Sequence, residues 1–206
     1  MVERKTPRVA LDQYPTPTWV VHRLLEHPLL DIPRTGTWFE PCAGAGQIVR
    51  AVESRRAQQG WEVDRWVTNE IDPLVTPAGA SEYLVAPDMH CSDIRDWKDC
   101  YSRFAVAITN PPYMIAREVL EVCRPLAKWL VLLLRTQFLA SEERAQMFRQ
   151  DEPDIFLLPN RPSFTANGQT DMHDYAWFVW GPERKQEGQL CHLASTSKEE
   201  RKKPKL

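Results

Sequence analysis

Trp129-Leu130-Val131-Leu132-Leu133-Leu134 is an unbroken apolar run between Lys128 and Arg135. It has strand length and falls far short of a membrane span. A strand apolar on both faces belongs at the centre of a sheet covered on both sides. Before it, residues 117–127 read as a helix despite Pro125, and Phe104-Ala105-Val106-Ala107-Ile108 reads as a neighbouring strand. Beyond it come a helix over 142–150 and two strand-like segments, Ile155-Phe156-Leu157-Leu158 and Tyr175-Ala176-Trp177-Phe178-Val179-Trp180. Further upstream lie strands over 37–40 and 65–71, and an amphipathic helix over 47–59 closed by Gly60. A first helix carries Val20, Val21, Leu24 and Leu25 at helical spacing, with Thr18 placed to cap it. Strand and helix alternate until two strands close the chain, which predicts an open α/β sheet with helices on both faces.

A chain of 206 residues fits one domain with a full core, whereas two domains of half that size would each be marginal. Residues 1–194 are therefore expected as a single domain, and the lysine-rich stretch 195–206 as a disordered tail. The 43 % hydrophobic and 26 % charged content is that of a globular protein and excludes wholesale disorder. The start, Met1-Val2-Glu3-Arg4-Lys5, leads into no apolar signal segment, which predicts a cytoplasmic protein with no membrane association. Five cysteines with no Cys-x-x-Cys pair argue for free thiols and against a zinc site, so no metal is expected. The net charge of −2 does not advertise a nucleic-acid binder, although the distribution of charge matters more than its sum.

The loop Thr109-Asn110-Pro111-Pro112-Tyr113 follows the strand over 104–108. Each proline lacks an N–H and holds the residue before it extended, so the loop cannot be helical and is stiff. It presents an amide side chain, a backbone carbonyl that no helix can claim and an aromatic ring, the groups needed to hold a planar heterocycle bearing an amino group. Read alone it is an ordinary strand-ending turn. Glu40-Pro41-Cys42-Ala43-Gly44-Ala45-Gly46 also leaves a strand and opens a helix, and Gly44 and Gly46 permit a tight turn with a ligand against the backbone. The third glycine of a dinucleotide fingerprint is absent, since Val49 stands in its place, and no Lys-Ser or Lys-Thr follows. The loop therefore suits a cofactor without a pyrophosphate. Glu70, ending the next strand, is placed to accept from the two hydroxyls of a ribose. Asp93 can accept from an adenine amino group. Singly these are ordinary surface carboxylates; with the glycine loop they outline an adenosine-shaped site.

At these residues the chain resembles the S-adenosylmethionine-dependent amino-methyltransferases that act on DNA, in particular the adenine-N6 enzymes of phages and prokaryotes. Phe39-Glu40-Pro41-x-x-Gly44-x-Gly46 is similar to their cofactor loop, Asn69-Glu70-Ile71-Asp72-Pro73 to their ribose-binding turn, and Ser92-Asp93 to the turn that reads the cofactor adenine. Tyr14-Pro15-Thr16-Pro17 resembles the segment that packs over the methionine end, and Asn110-Pro111-Pro112-Tyr113 the catalytic motif. The resemblance implies a Rossmann-like, mostly parallel sheet with a closing antiparallel strand, S-adenosylmethionine as cofactor and DNA as partner, with RNA not excluded. It implies cofactor contacts from Tyr14, Thr16, Glu40, Pro41, Gly44, Gly46, Glu70, Ile71 and Asp93. Asn110 and Pro111 would accept the hydrogens of the target amino group, and Tyr113 would stack on the base. Arg161-Pro162-Ser163-Phe164 resembles the late substrate-side motif, with Phe164 as a second aromatic face or as a core residue, and Arg161 as a phosphate partner. The polar loop over 167–174 either approaches nucleic acid or merely connects strands. Two departures stand out: Ala45 replaces an acidic or hydroxyl residue, and there is no sizeable insertion to read a DNA sequence. RNA bases, cytosine N4 and a protein glutamine amide remain alternative substrates, and a non-catalytic nucleic-acid-binding module an alternative class.

Overall fold

The computed structural model describes residues 15–75, 89–99, 103–164, 170–182 and 188–202. Eight strands form one sheet: β1 (Thr35–Glu40), β2 (Glu62–Asn69), β3 (Met89–His90), β4 (Phe104–Thr109), β5 (Ala127–Arg135), β6 (Asp154–Leu157), β7 (Tyr175–Trp180) and β8 (Leu190–His192). Their order across the sheet is β3-β2-β1-β4-β5-β7-β6-β8. All neighbours pair parallel except β7, which runs antiparallel to both β5 and β6. The helices are α1 (Thr18–Leu25), α2 (Gln47–Gln59), α3 (Ala116–Leu126), α4 (Glu142–Gln150) and α5 (Lys198–Arg201).

The period-2 geometry of a strand explains the apolar runs. In β5, Trp129, Val131 and Leu133 join the core beneath α1 and α2, while Leu130, Leu132 and Leu134 join the core beneath α3. β7 divides in the same way, Tyr175, Trp177 and Val179 against Ala176, Phe178 and Trp180. Both strands need apolar residues at every position because both faces are covered. Two indoles of this core find partners, the Trp177 Nε1 donating to the Val20 carbonyl at 3.0 Å and the Trp66 Nε1 to Glu53 at 2.7 Å, whereas the Nε1 groups of Trp38 and Trp61 are buried without one. The α/β sheet with its antiparallel closing strand is the one the alternation and the resemblance predict.

Three local features differ from the sequence reading or go beyond it. Thr18 does not cap α1; Pro17 occupies that position in an extended conformation, without a side-chain hydrogen bond, and Thr18 is the first helical residue. β8 escapes the sequence because it has only three residues and lies on the sheet edge. Of the stretch 195–206, expected as a tail, residues 203–206 lie outside the described residues, and residues 195–202 are placed against the rest of the protein. They lack apolar side chains but are held by polar contacts: Thr196, 4 % exposed, receives Arg23 Nε on its hydroxyl at 3.0 Å and donates its N–H to Asn160 Oδ1 at 2.7 Å. Ser197 caps α5 by accepting from the Glu200 N–H, and Glu200 pairs with Arg23. Among the described residues no helix is long and apolar enough to cross a membrane.

Leu132 is fully buried at the sheet centre. Leu132→Ala is expected to cost about 2–5 kcal/mol, read as a lower urea midpoint with the transition still cooperative.

Candidate active site

Strand order reverses between β1 and β4, with β2 and β3 on one side and β5 on the other, and a cleft opens outside the carboxyl ends of these strands. Its volume is about 240 Å³. Thr16, Glu40, Pro41, Gly44, Glu70, Ile71, Asp93, Asn110 and Pro112 all line it. Residues from the loops after β1, β2, β3 and β4 thus reach one site because parallel strands end at one edge, and Thr16 joins them from the segment before α1.

The glycine loop is shaped by its backbone. Gly44 and Gly46 have φ of 51° and 78°, left-handed values that L side chains rarely adopt. A Cβ at Gly44 would meet nothing within 4 Å, so conformation and not space requires glycine there, and the backbone faces an open cleft. The loop is tied to β2: Ala43 N–H donates to the Asn69 carbonyl at 2.9 Å and Gly44 N–H to Glu70 Oε2 at 2.7 Å. Glu70 Oε1 accepts from the Asp72 N–H at 3.1 Å. Each carboxylate oxygen keeps a lone pair for a ligand hydroxyl. Asp93 is gripped by Arg95, whose Nε and second guanidinium nitrogen donate to its two oxygens, and this pairing holds the Asp93 carboxyl below its ordinary range. An adenine amino group at Asp93 would share it with Arg95.

Glu40 is the electrostatic anomaly of the cleft. It is 2 % exposed, its Oε2 has no hydrogen-bond partner, and burial pushes its carboxyl well above the ordinary range despite a donated Val49 N–H. A buried carboxyl with an unpartnered oxygen, on a residue that lines a cleft, suits a ligand bearing a cationic amine.

The prolyl loop behaves as its sequence dictates. Pro111 is buried and Pro112 extended, with φ −55° and ψ 121°, before a single 3-10 turn, Tyr113–Ile115. Asn110 Nδ2 donates to the Thr16 hydroxyl at 3.1 Å, which turns Oδ1 the other way, where it accepts from the Tyr113 hydroxyl at 3.0 Å. Tyr113 itself is not on the cleft lining. Its ring lies beneath the Arg135 guanidinium, 4.4 Å from the centroid, and beside Tyr175 at 5.8 Å.

Other expected residues fall elsewhere. Phe164 is 4 % exposed and packs edge-on against Tyr175 at 5.1 Å, so it is a core residue backing the Tyr113 wall and not a second face for a base. Arg161 is paired with Asp174 at 2.7 Å. Gly46 shapes the entry to α2 without lining the cleft. Tyr14 and residues 167–169 lie outside the described residues. Asn69, read from the sequence only as part of the turn that resembles a ribose-binding one, ties three segments together: its Nδ2 donates to the Pro41 carbonyl at 3.2 Å and to the Ser92 carbonyl at 3.0 Å. Arg135, Tyr175 and Asp171 carried no signal in the sequence, because their significance lies in how they surround Tyr113.

No family model and no curated protein matches the chain. Solved structures do match. A Listeria monocytogenes protein assigned as a class I S-adenosylmethionine-dependent methyltransferase superposes with a TM-score of 0.64 at 13 % identity, covering 93 % of this chain and 69 % of that one. A Pyrococcus horikoshii protein assigned as an RNA methyltransferase gives 0.57 at 16 % identity, covering 86 % and 91 %. A modification subunit assigned to a type I restriction enzyme of Vibrio vulnificus gives 0.57 at 14 % identity, covering 87 % and 45 %. The likeness is one of fold, the Rossmann-like methyltransferase sheet.

The raised carboxyl of Glu40 sets a pH dependence. A carboxyl whose folded pKa exceeds its unfolded value favours the fold while protonated and loses that contribution as pH rises through the folded value. Glu40→Gln, unable to ionise, is expected to gain stability relative to the parent as pH rises above the ordinary carboxylate range. Urea unfolding of both proteins across mildly acidic to mildly alkaline pH checks this, and a pH-independent difference would contradict it.

Proposed function

We propose that this chain is an S-adenosylmethionine-dependent methyltransferase acting on the exocyclic N6 amino group of adenine in DNA. The observation that carries the reading is Asn110: its amide is anchored on Thr16, and Asn110, Thr16, Pro112 and the Gly44, Glu70 and Asp93 cradle all line one cleft. The residues present fit the cofactor. Glu70 suits the ribose hydroxyls, Asp93 the adenine amino group, the Gly44 backbone the body of the molecule, and the unpartnered Glu40 Oε2 its cationic amine. When bound, S-adenosylmethionine supplies a methyl group already activated by its sulfonium charge.

The chain supplies orientation. An adenine amino nitrogen is a poor nucleophile because its lone pair is delocalised into the ring. Asn110 Oδ1 and the Pro111 carbonyl, each accepting one amino hydrogen, draw the nitrogen toward a tetrahedral geometry and turn its lone pair out of conjugation. Both acceptors are oriented beforehand, one by Thr16 and the other by two consecutive prolines, so their direction is set before the substrate arrives. The Tyr113 ring lies off the cleft lining beneath Arg135, and once turned toward the cleft it would give a stacking contact worth about 1–3 kcal/mol, comparable to the few kcal/mol needed to extrude a base from a duplex. Similar folds in proteins assigned to DNA restriction-modification and to RNA methylation agree with a nucleic-acid substrate.

Incubation with tritiated S-adenosylmethionine and unmethylated DNA, RNA or protein, followed by nucleoside and peptide analysis, is expected to place label in N6-methyladenine from DNA. Label in RNA alone, in cytosine or in glutamine would overturn the assigned substrate. Asn110→Ala is expected to lower turnover by about 100-fold or more while cofactor affinity is retained.

A further inference from the structure

The Tyr113 hydroxyl occupies the acceptor that the target amino group requires. It donates to Asn110 Oδ1 at 3.0 Å, the oxygen left facing away from Thr16 by the Nδ2 contact. Burial pushes the phenols of Tyr113 and Tyr175 upward, so both stay neutral and can donate. The Tyr113 ring is held from behind: Arg135 lies over it at 4.4 Å, and the Tyr175 ring flanks it. Arg135 is in turn fixed, its Nε donating to the Tyr175 hydroxyl at 3.3 Å and its guanidinium 4.0 Å from Asp171. Tyr175 donates to Asp171 Oδ2 at 2.8 Å, which closes the set.

Resting on the reading of Asn110 as the acceptor for an amino group, we infer that Tyr113 is a latch whose hydroxyl stands in for that amino group in the free protein. Arg135, Tyr175 and Asp171 are the positioning residues that set how firmly the latch is held. An incoming base must displace the Tyr113 hydroxyl from Asn110 before its own amino group can be accepted. The competition raises the apparent dissociation constant for any substrate that uses Asn110, by the fraction of molecules in which the acceptor is free. A purine without an amino group does not use that acceptor and escapes the competition. The latch thus weakens binding selectively for the substrate it imitates, and keeps the Asn110 carboxamide satisfied and oriented when no substrate is present.

The test is binding by the cofactor-free protein, read as fluorescence anisotropy of two labelled single-stranded DNA probes, one carrying a single adenine and the other unsubstituted purine at that position. Tyr113→Phe keeps the ring and removes only the hydroxyl. It is expected to tighten binding of the adenine probe by about two- to tenfold and to leave the purine probe unmoved. Arg135→Gln is expected to shift adenine binding in the same direction, with Arg135→Lys intermediate. No change in either variant, or equal changes on both probes, would overturn the latch. If Asn110→Ala abolishes methyl transfer but Tyr113→Phe leaves adenine affinity as it was, the latch fails and the reading of the site stands. If Tyr113→Phe and the parent both bind adenine and purine alike, and Asn110→Ala still transfers methyl groups, that reading fails with it.

Discussion

Three strand ends meet at the side chain of Asn69, which is 2 % exposed. Its Nδ2 reaches the carbonyls of Pro41, after β1, and Ser92, after β3, while its Oδ1 accepts from the Ser92 hydroxyl at 2.9 Å. Ser92 Oγ accepts in turn from the Trp97 indole at 2.8 Å. The Asn69 backbone carbonyl receives the Ala43 N–H. Parallel strands deliver their ends to one edge, but only hydrogen bonds between those ends turn an edge into a cradle of fixed shape. Each buried carbonyl left without its donor would cost about 1–3 kcal/mol, so the carboxamide has no inexpensive replacement.

The second constraint is the way Asn110 is fixed from both sides. Two prolines deny its loop a helical path, and Thr16, arriving from a segment 94 residues earlier, fixes the rotation of its amide. The orientation matters more than the strength of either bond. A carboxamide free to turn would offer nitrogen and oxygen in alternation, and only the oxygen accepts. Buried Glu40, by contrast, is held at an energetic disadvantage, a charge-bearing group with one oxygen unpartnered. Such a group belongs at a place where a ligand completes the structure.

What the sequence made legible was what neighbouring residues decide. The apolar runs 104–108 and 129–134 predicted buried strands, the two prolines predicted a non-helical loop, and Gly44 and Gly46 predicted a tight turn, because each effect acts within a few residues of chain. Features that depend on distant partners stayed hidden. Thr16 reads as a cofactor contact, and nothing near it in the chain signals its bond to Asn110. The segment 195–202 reads as a polar tail until Glu200 pairs with Arg23, 177 positions away. Phe164 illustrates the limit of motif resemblance: an aromatic residue at a substrate-side position is buried here, edge-on against Tyr175.

The account turns on Asn110 Oδ1 being aimed at the group the cofactor transfers. The most direct measurement is a crystal structure with an S-adenosylmethionine analogue carrying an amine in place of the transferred methyl. The analogue is predicted to lie in the cleft between Glu40, Gly44, Glu70 and Asp93, with that amine beside Asn110 and roughly within hydrogen-bonding reach of its oxygen. An analogue bound elsewhere, or bound in the cleft with its amine directed away from Asn110, would contradict the account.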